Sequence, residues 1–83
     1  MSKREKLLKR LASRPKDFTW AELASLMKAL DYRLVPSSGS GRKFIHTVTQ
    51  ATMFLHEPHP AKVLKPYQVA DAIDFLTKEG ILS

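Results

Sequence analysis

The chain has 83 residues, with fourteen Lys and Arg against eight Asp and Glu, a formal net charge of +6 and no cysteine. A chain of this length supports one small domain that buries about 60% of its unfolded surface. It has no thiol for a disulfide, a metal site or a nucleophile, and no apolar run near the roughly 20 residues of a membrane-spanning helix.

Met1 to Lys6 is charged, and no signal-peptide apolar core follows it, so secretion is not expected. The excess of cations favours an anionic partner: RNA, DNA, an acidic protein or, less often, a membrane surface. Lys3 to Ser13 reads as a short helix with Leu7, Leu8, Leu11 and Ala12 on one side and Lys3, Arg4, Lys6, Lys9 and Arg10 around it. Such a helix packs through its apolar stripe and leaves a solvated basic face, although the same pattern also suits lying on a membrane or contacting phosphates. Pro15 breaks the chain in a linker from Arg14 to Phe18.

Thr19 then opens a second helix with a capping box. Its hydroxyl is placed to accept from the Glu22 amide, while Glu22 reaches back to Thr19. Phe18 precedes the cap and is placed to pack on Leu23. Trp20, Leu23, Ala24, Met27 and Leu30 recur at helical spacing, a core stripe ending near Leu30. The period then changes. Tyr32 to Val35 reads as a strand, Pro36 to Gly41 as a turn-rich loop, Arg42 to Thr49 as a second strand and Thr52 to Glu57 as a third. The connections are too short for crossovers, so an antiparallel meander is expected. Pro58 and Pro60 stop the pairing. A last helix starts near Pro66, with Tyr67, Val69, Ala70, Ile73, Phe75 and Leu76 as its apolar side, and ends at Gly80. The order α-α-β-β-β-α implies a two-layer α+β domain: a three-stranded antiparallel sheet with helices on one face. Residues 1–18 are an N-terminal basic helical extension to a domain over 19–83.

Three histidines supply the side chains suited to acid-base work near neutrality. His56-Glu57-Pro58-His59 superficially resembles a metal cluster, but it lacks a helical scaffold and a third ligand, so no metal is expected. Strand alternation puts Arg42, Phe44 and His46 on one face and Lys43 and Ile45 on the other. If Phe44 points to the core, His46 follows it. Arg42 and Lys43 flank the Gly39-Ser40-Gly41 turn, and Lys62 and Lys65 precede the last helix, whose N-terminal amides and dipole favour anions. These four cations are the expected phosphate contacts. An ordinary solvated loop is the competing reading for Lys62 and Lys65.

From Thr19 onward the chain resembles the HicA family of toxins from bacterial toxin-antitoxin pairs. The resemblance rests on Trp20-Ala21-Glu22-Leu23, the loop and strand Gly39-Ser40-Gly41-Arg42-Lys43-Phe44, the corner Glu57-Pro58-His59-Pro60, and the closing helix from Leu64-Lys65-Pro66-Tyr67 to Gly80-Ile81-Leu82. It implies a fold similar to the double-stranded RNA-binding domain, with an α-β-β-β-α core. It also implies an endoribonuclease that cleaves messenger RNA without metal or cofactor, acts in the cytoplasm and is covered by a HicB-like antitoxin. Recognition in such folds is largely by backbone and shape.

The family's turn reads Gly-Ser-His, the histidine being its proposed base. Here the match reads Gly39-Ser40-Gly41, so no catalytic residue carries over. His46 and His59 are the candidates left, His46 facing away from Lys43 and His59 lying in a corner whose competing reading is to shape the loop. If cleavage occurs, a histidine takes the 2′-hydroxyl proton while Arg42, Lys43 or Lys65 stabilises charge on the phosphate. The alternative is a non-catalytic RNA-binding or antitoxin-binding module that lost the histidine.

Overall fold

The computed structural model describes residues 2–82, in the order α1 (Lys3–Ala12), α2 (Trp20–Ala29), β1 (Tyr32–Pro36), β2 (Gly41–His46), β3 (Thr52–His56) and α3 (Pro66–Lys78). The strands form an antiparallel meander with β2 in the centre. Its inward face carries Tyr32, Phe44, Met53 and Leu55, which join Leu11, Leu23, Leu26, Met27, Val69 and Leu76 from the helices in one core. The expected α+β class and the placement of helices against the sheet are both present.

Local chemistry sets most of the boundaries. Thr19 Oγ1 accepts from the Glu22 amide at 3.1 Å, and Glu22 Oε1 accepts from the Thr19 amide at 3.0 Å, completing the capping box. Phe18 and Leu23 are both fully buried, as the residues flanking such a cap should be. Each helix ends in a residue of left-handed φ: Arg14, Asp31 and Gly80. After α3 the Gly80 amide bonds the Thr77 carbonyl and the Ile81 amide bonds the Leu76 carbonyl, a Schellman stop that folds Ile81 back over the helix end.

The structure differs from the periodicity in three places. β2 stops at His46 rather than Thr49, because His46 Nδ1 accepts from the Val48 and Thr49 amides and turns the chain. On α3, Tyr67 is 59% exposed, while Gln68, a polar residue, is buried to 2%. Gln68 belongs inside because it has two partners there: Oε1 accepts from the Lys65 amide at 3.0 Å, and Nε2 donates to the His56 carbonyl at 2.8 Å. Finally, the segment before α3 pairs with the entry to α2. The Trp20 amide bonds the Lys62 carbonyl and the Leu64 amide bonds the Phe18 carbonyl, around a Thr19–Val63 bridge.

The N-terminal helix is tied to α2 by charge as well as packing. Arg10 Nε donates to Glu22 Oε2 at 2.9 Å, and its Nη2 reaches Asp17 Oδ1 at 3.1 Å. The hydrogen bond from Arg10, reinforced by those from Thr19, holds the Glu22 carboxyl at about 2, well below its ordinary 4.5, against the opposing effect of burial. A carboxyl depressed on folding stabilises the protein above its unfolded pKa and ceases to do so as pH falls through the folded one. Stability should therefore decline from about pH 4.5 towards 2, and Glu22→Gln should flatten the decline in a thermal unfolding series. At neutral pH, Glu22→Ala should cost about 1–2 kcal/mol, since it removes half of the capping box together with the partner of Arg10. Parallel pH profiles for wild type and Glu22→Gln would show that the pair does not carry this dependence.

Candidate functional site

The charges of this chain are segregated by element. All eight acidic residues lie on helices, turns or loops, whereas the strands carry Arg33, Arg42, Lys43, His46 and His56. Antiparallel pairing sorts these onto two faces. Arg33 pairs with Ile45, Val35 with Lys43, Lys43 with Phe54, and Gly41 with His56. Paired residues share a face, so these side chains stand on the side of the sheet away from the buried core. Arg33 and Lys43 are exposed there, Val35 and Ile45 are half-buried between them, and Phe54 is 48% exposed. The open face is thus cationic, partly apolar and free of carboxylates.

The turn into β2 shapes one end of this face. The Gly41 amide bonds the Ser38 carbonyl at 3.0 Å, and Gly39 takes φ +60°, the left-handed first central residue that a type II′ turn demands. Gly41 itself is ordinary strand, yet it is buried, and what covers it is the Phe54 ring. A Cβ on Gly41 would lie 2.8 Å from Phe54 Cζ and 3.0 Å from the Ser38 carbonyl oxygen. The ring lies across the bare glycine and also meets His56 edge-on, with centroids 5.2 Å apart. His56 is held from the other side: its Nδ1 is 3.1 Å from Ser40 Oγ. The backbone around it is fixed too. The Glu57 amide donates to the Ser40 carbonyl at 2.9 Å, and Gln68 holds the His56 carbonyl.

The four expected phosphate contacts fall into different environments. Arg42 projects from the inward face, where Nε lies 3.3 Å from Glu57 Oε1 and Nη1 donates to the carbonyls of Gly39 and Gly41. Lys62 Nζ lies 2.7 Å from the other Glu57 oxygen. The hydrogen bond from Lys62, with the charges of Lys62, Arg42 and His59, holds the Glu57 carboxyl below the usual range. Both cations are therefore spoken for by one anion. Lys43 stands on the open face and Lys65 caps α3, each without an ion pair among the described residues.

The histidines separate as clearly. His46 packs edge-on against Tyr32, 4.9 Å between centroids, and its Nδ1 accepts two backbone amides. Both donors are N–H groups, so Nδ1 is unprotonated and the neutral ring carries its proton on Nε2. His46 is thus committed to its turn. His59 is exposed beside Glu57, and no hydrogen bond of its ring is present among the described residues. Sequence reading placed neither Ser40 nor His56 at a site. The signal was the strand register: pairing β3 to β2 with Gly41 opposite His56 brings that histidine to the Gly39-Ser40-Gly41 turn. Among the described residues no group of three or more His, Cys, Asp or Glu is arranged to hold a metal ion.

A family model described as the HicA toxin of bacterial toxin-antitoxin matches residues 20–75. That span contains the capping helix, all three strands and most of α3. Searches of curated proteins and of solved structures found no match.

The Phe54 ring and Gly41 form a complementary pair, and this is measurable. Gly41→Ala should destabilise by about 1–2 kcal/mol in denaturant unfolding, through crowding of the ring and the Ser38 carbonyl. In a Phe54→Ala background the penalty should shrink by at least about 0.5 kcal/mol. Additive effects would mean that the ring does not occupy this space in solution.

Proposed function

The chain belongs to the HicA toxin family, and from that premise we propose that it binds messenger RNA on the open face of its sheet and cleaves it without a metal or cofactor. Membership makes it the toxin of a toxin-antitoxin pair and so implies an antitoxin partner. A HicB-like antitoxin and action in the cytoplasm, where translated RNA lies, complete the reading. The observation that carries it is the absence of any acidic residue from the strands, which leaves Arg33 and Lys43 beside the exposed ring of Phe54. Cations that neutralise phosphates supply affinity, and an exposed aromatic ring supplies a surface on which a base can stack. Lys43 is the leading phosphate contact of the expected four. Lys65, exposed at the start of α3, is a second candidate, while Arg42 and Lys62 contribute net charge around Glu57.

A second reading, an RNA-binding or antitoxin-binding module without catalysis, is favoured by one observation: Gly41 presents no side chain, and the Phe54 ring fills the space above it. Inducing the protein without an antitoxin separates the two. Cleavage predicts growth arrest with shortened messenger RNA, whereas arrest with intact RNA would sink the nuclease mechanism and leave binding. For binding itself, Lys43→Glu should weaken RNA affinity for all sequences alike and lower the slope of log K against log salt by about one unit. An unchanged slope would move the RNA off this face.

A further inference from the structure

Of the three histidines, one is both oriented and open. His56 is exposed, its Nδ1 is held by Ser40 Oγ at 3.1 Å, and no other hydrogen bond of its ring is present among the described residues. Phe54 meets it edge-on, and the carbonyl of its own residue is anchored by buried Gln68. It shares the face of Lys43, whose register partner is Phe54, two residues before it on β3. Diagonal neighbours of this kind are about 7–8 Å apart, within reach of a long side chain. We infer that His56 is the catalytic base of this protein and that Ser40 is its positioning residue, an inference that rests on the ribonuclease reading given above.

When Nδ1–H donates to Ser40 Oγ, the lone pair of the neutral ring sits on Nε2. Nε2 takes the proton of a ribose 2′-hydroxyl. O2′ then forms a bond to the adjacent phosphorus, the P–O5′ bond breaks, and O5′ keeps the electron pair and takes a proton from a water molecule. The His56 imidazolium returns to that water the proton it took, so that the ring is neutral again. The products are a 2′,3′-cyclic phosphate and a 5′-hydroxyl. The Lys43 ammonium faces the charge that develops on the non-bridging oxygens. A nucleobase stacked on Phe54 fixes the ribose beside the ring of His56. The base thus stands on β3, across the strand pair from Gly41.

The test is steady-state cleavage of a single-stranded oligoribonucleotide by the purified full chain, with RNA affinity and melting temperature measured in parallel. His56→Ala and His56→Gln should each lower kcat by about 10²–10⁴-fold, with affinity for the 2′-deoxy oligonucleotide unchanged within about threefold and melting preserved. Ser40→Ala should lower kcat by about tenfold without raising KM, and Ser40→Thr, which keeps the hydroxyl, should restore most of it. Cleavage by His56→Gln at the wild-type rate would overturn the assignment of the base while leaving the nuclease reading intact. A wild-type protein that binds this RNA and never cuts it would overturn the nuclease reading, and the inference with it.

Discussion

The buried amide of Gln68 holds the corner between β3 and α3 together. It sits on a helix face that is otherwise apolar. One of its hydrogen bonds is local, accepting from the amide of Lys65 at the start of its own helix, and the other crosses to the sheet, donating to the carbonyl of His56, which ends β3. A buried polar group is tolerated only when its partners are in place. The helix therefore cannot shift along the sheet without leaving a donor, an acceptor or the amide itself unpaired. Everything at the corner between β3 and α3 is built on that constraint. The Glu57 amide closes on Ser40, and the Glu57 carboxylate gathers Arg42 and Lys62. An anion between two cations at the end of a basic sheet keeps the turn, the strand end and the segment before α3 from repelling one another.

With that corner fixed, strand register decides what stands on the open face. Gly41 opposite His56 and Lys43 opposite Phe54 put a bare backbone, an aromatic ring, a histidine and a cation within one small area. The glycine and the ring are complementary: the absent Cβ is what lets Phe54 lie across the strand, and the ring in turn buries a position that would otherwise be loose. A side chain at position 41 and the observed place of Phe54 exclude each other. The resemblance to the HicA family places its histidine at position 41. In this chain an imidazole, that of His56, reaches the same turn from the neighbouring strand, with Nδ1 at Ser40 Oγ.

The parts of this fold legible in the sequence are those made by neighbours along the chain. The Thr19–Glu22 capping box, the stripe that begins at Trp20, the meander and the glycine stop after α3 each depend on residues a few positions apart. Alternation within β2 puts His46 on the face of Phe44 and away from Lys43, because the period of a strand is local, and the register adds what alternation does not contain, the contact with Tyr32. What escaped was set by pairing between distant segments. The bridge from Thr19 to Val63, the burial of Gln68 and the Ser40–His56 contact all require a register that no single strand contains. Tyr67 and Gln68 show the limit of hydropathy: the polar residue went inside because two partners waited there, and the aromatic one stayed out. Likewise, a basic residue in a sequence is only a candidate for phosphate until its carboxylates are located, as Arg42 and Lys62 show beside Glu57.

In the function proposed above, RNA meets this protein on the open sheet face, at the end where Ser40 and Gln68 hold His56. The most direct measurement is an NMR titration of the labelled chain with an RNA made uncleavable by 2′-deoxy substitution. The largest shifts are expected at Ser40, Lys43 and Phe54 and in the His56 imidazole, with the His46 ring unmoved. Shifts confined to the basic side chains of α1, with the open face silent, would contradict it.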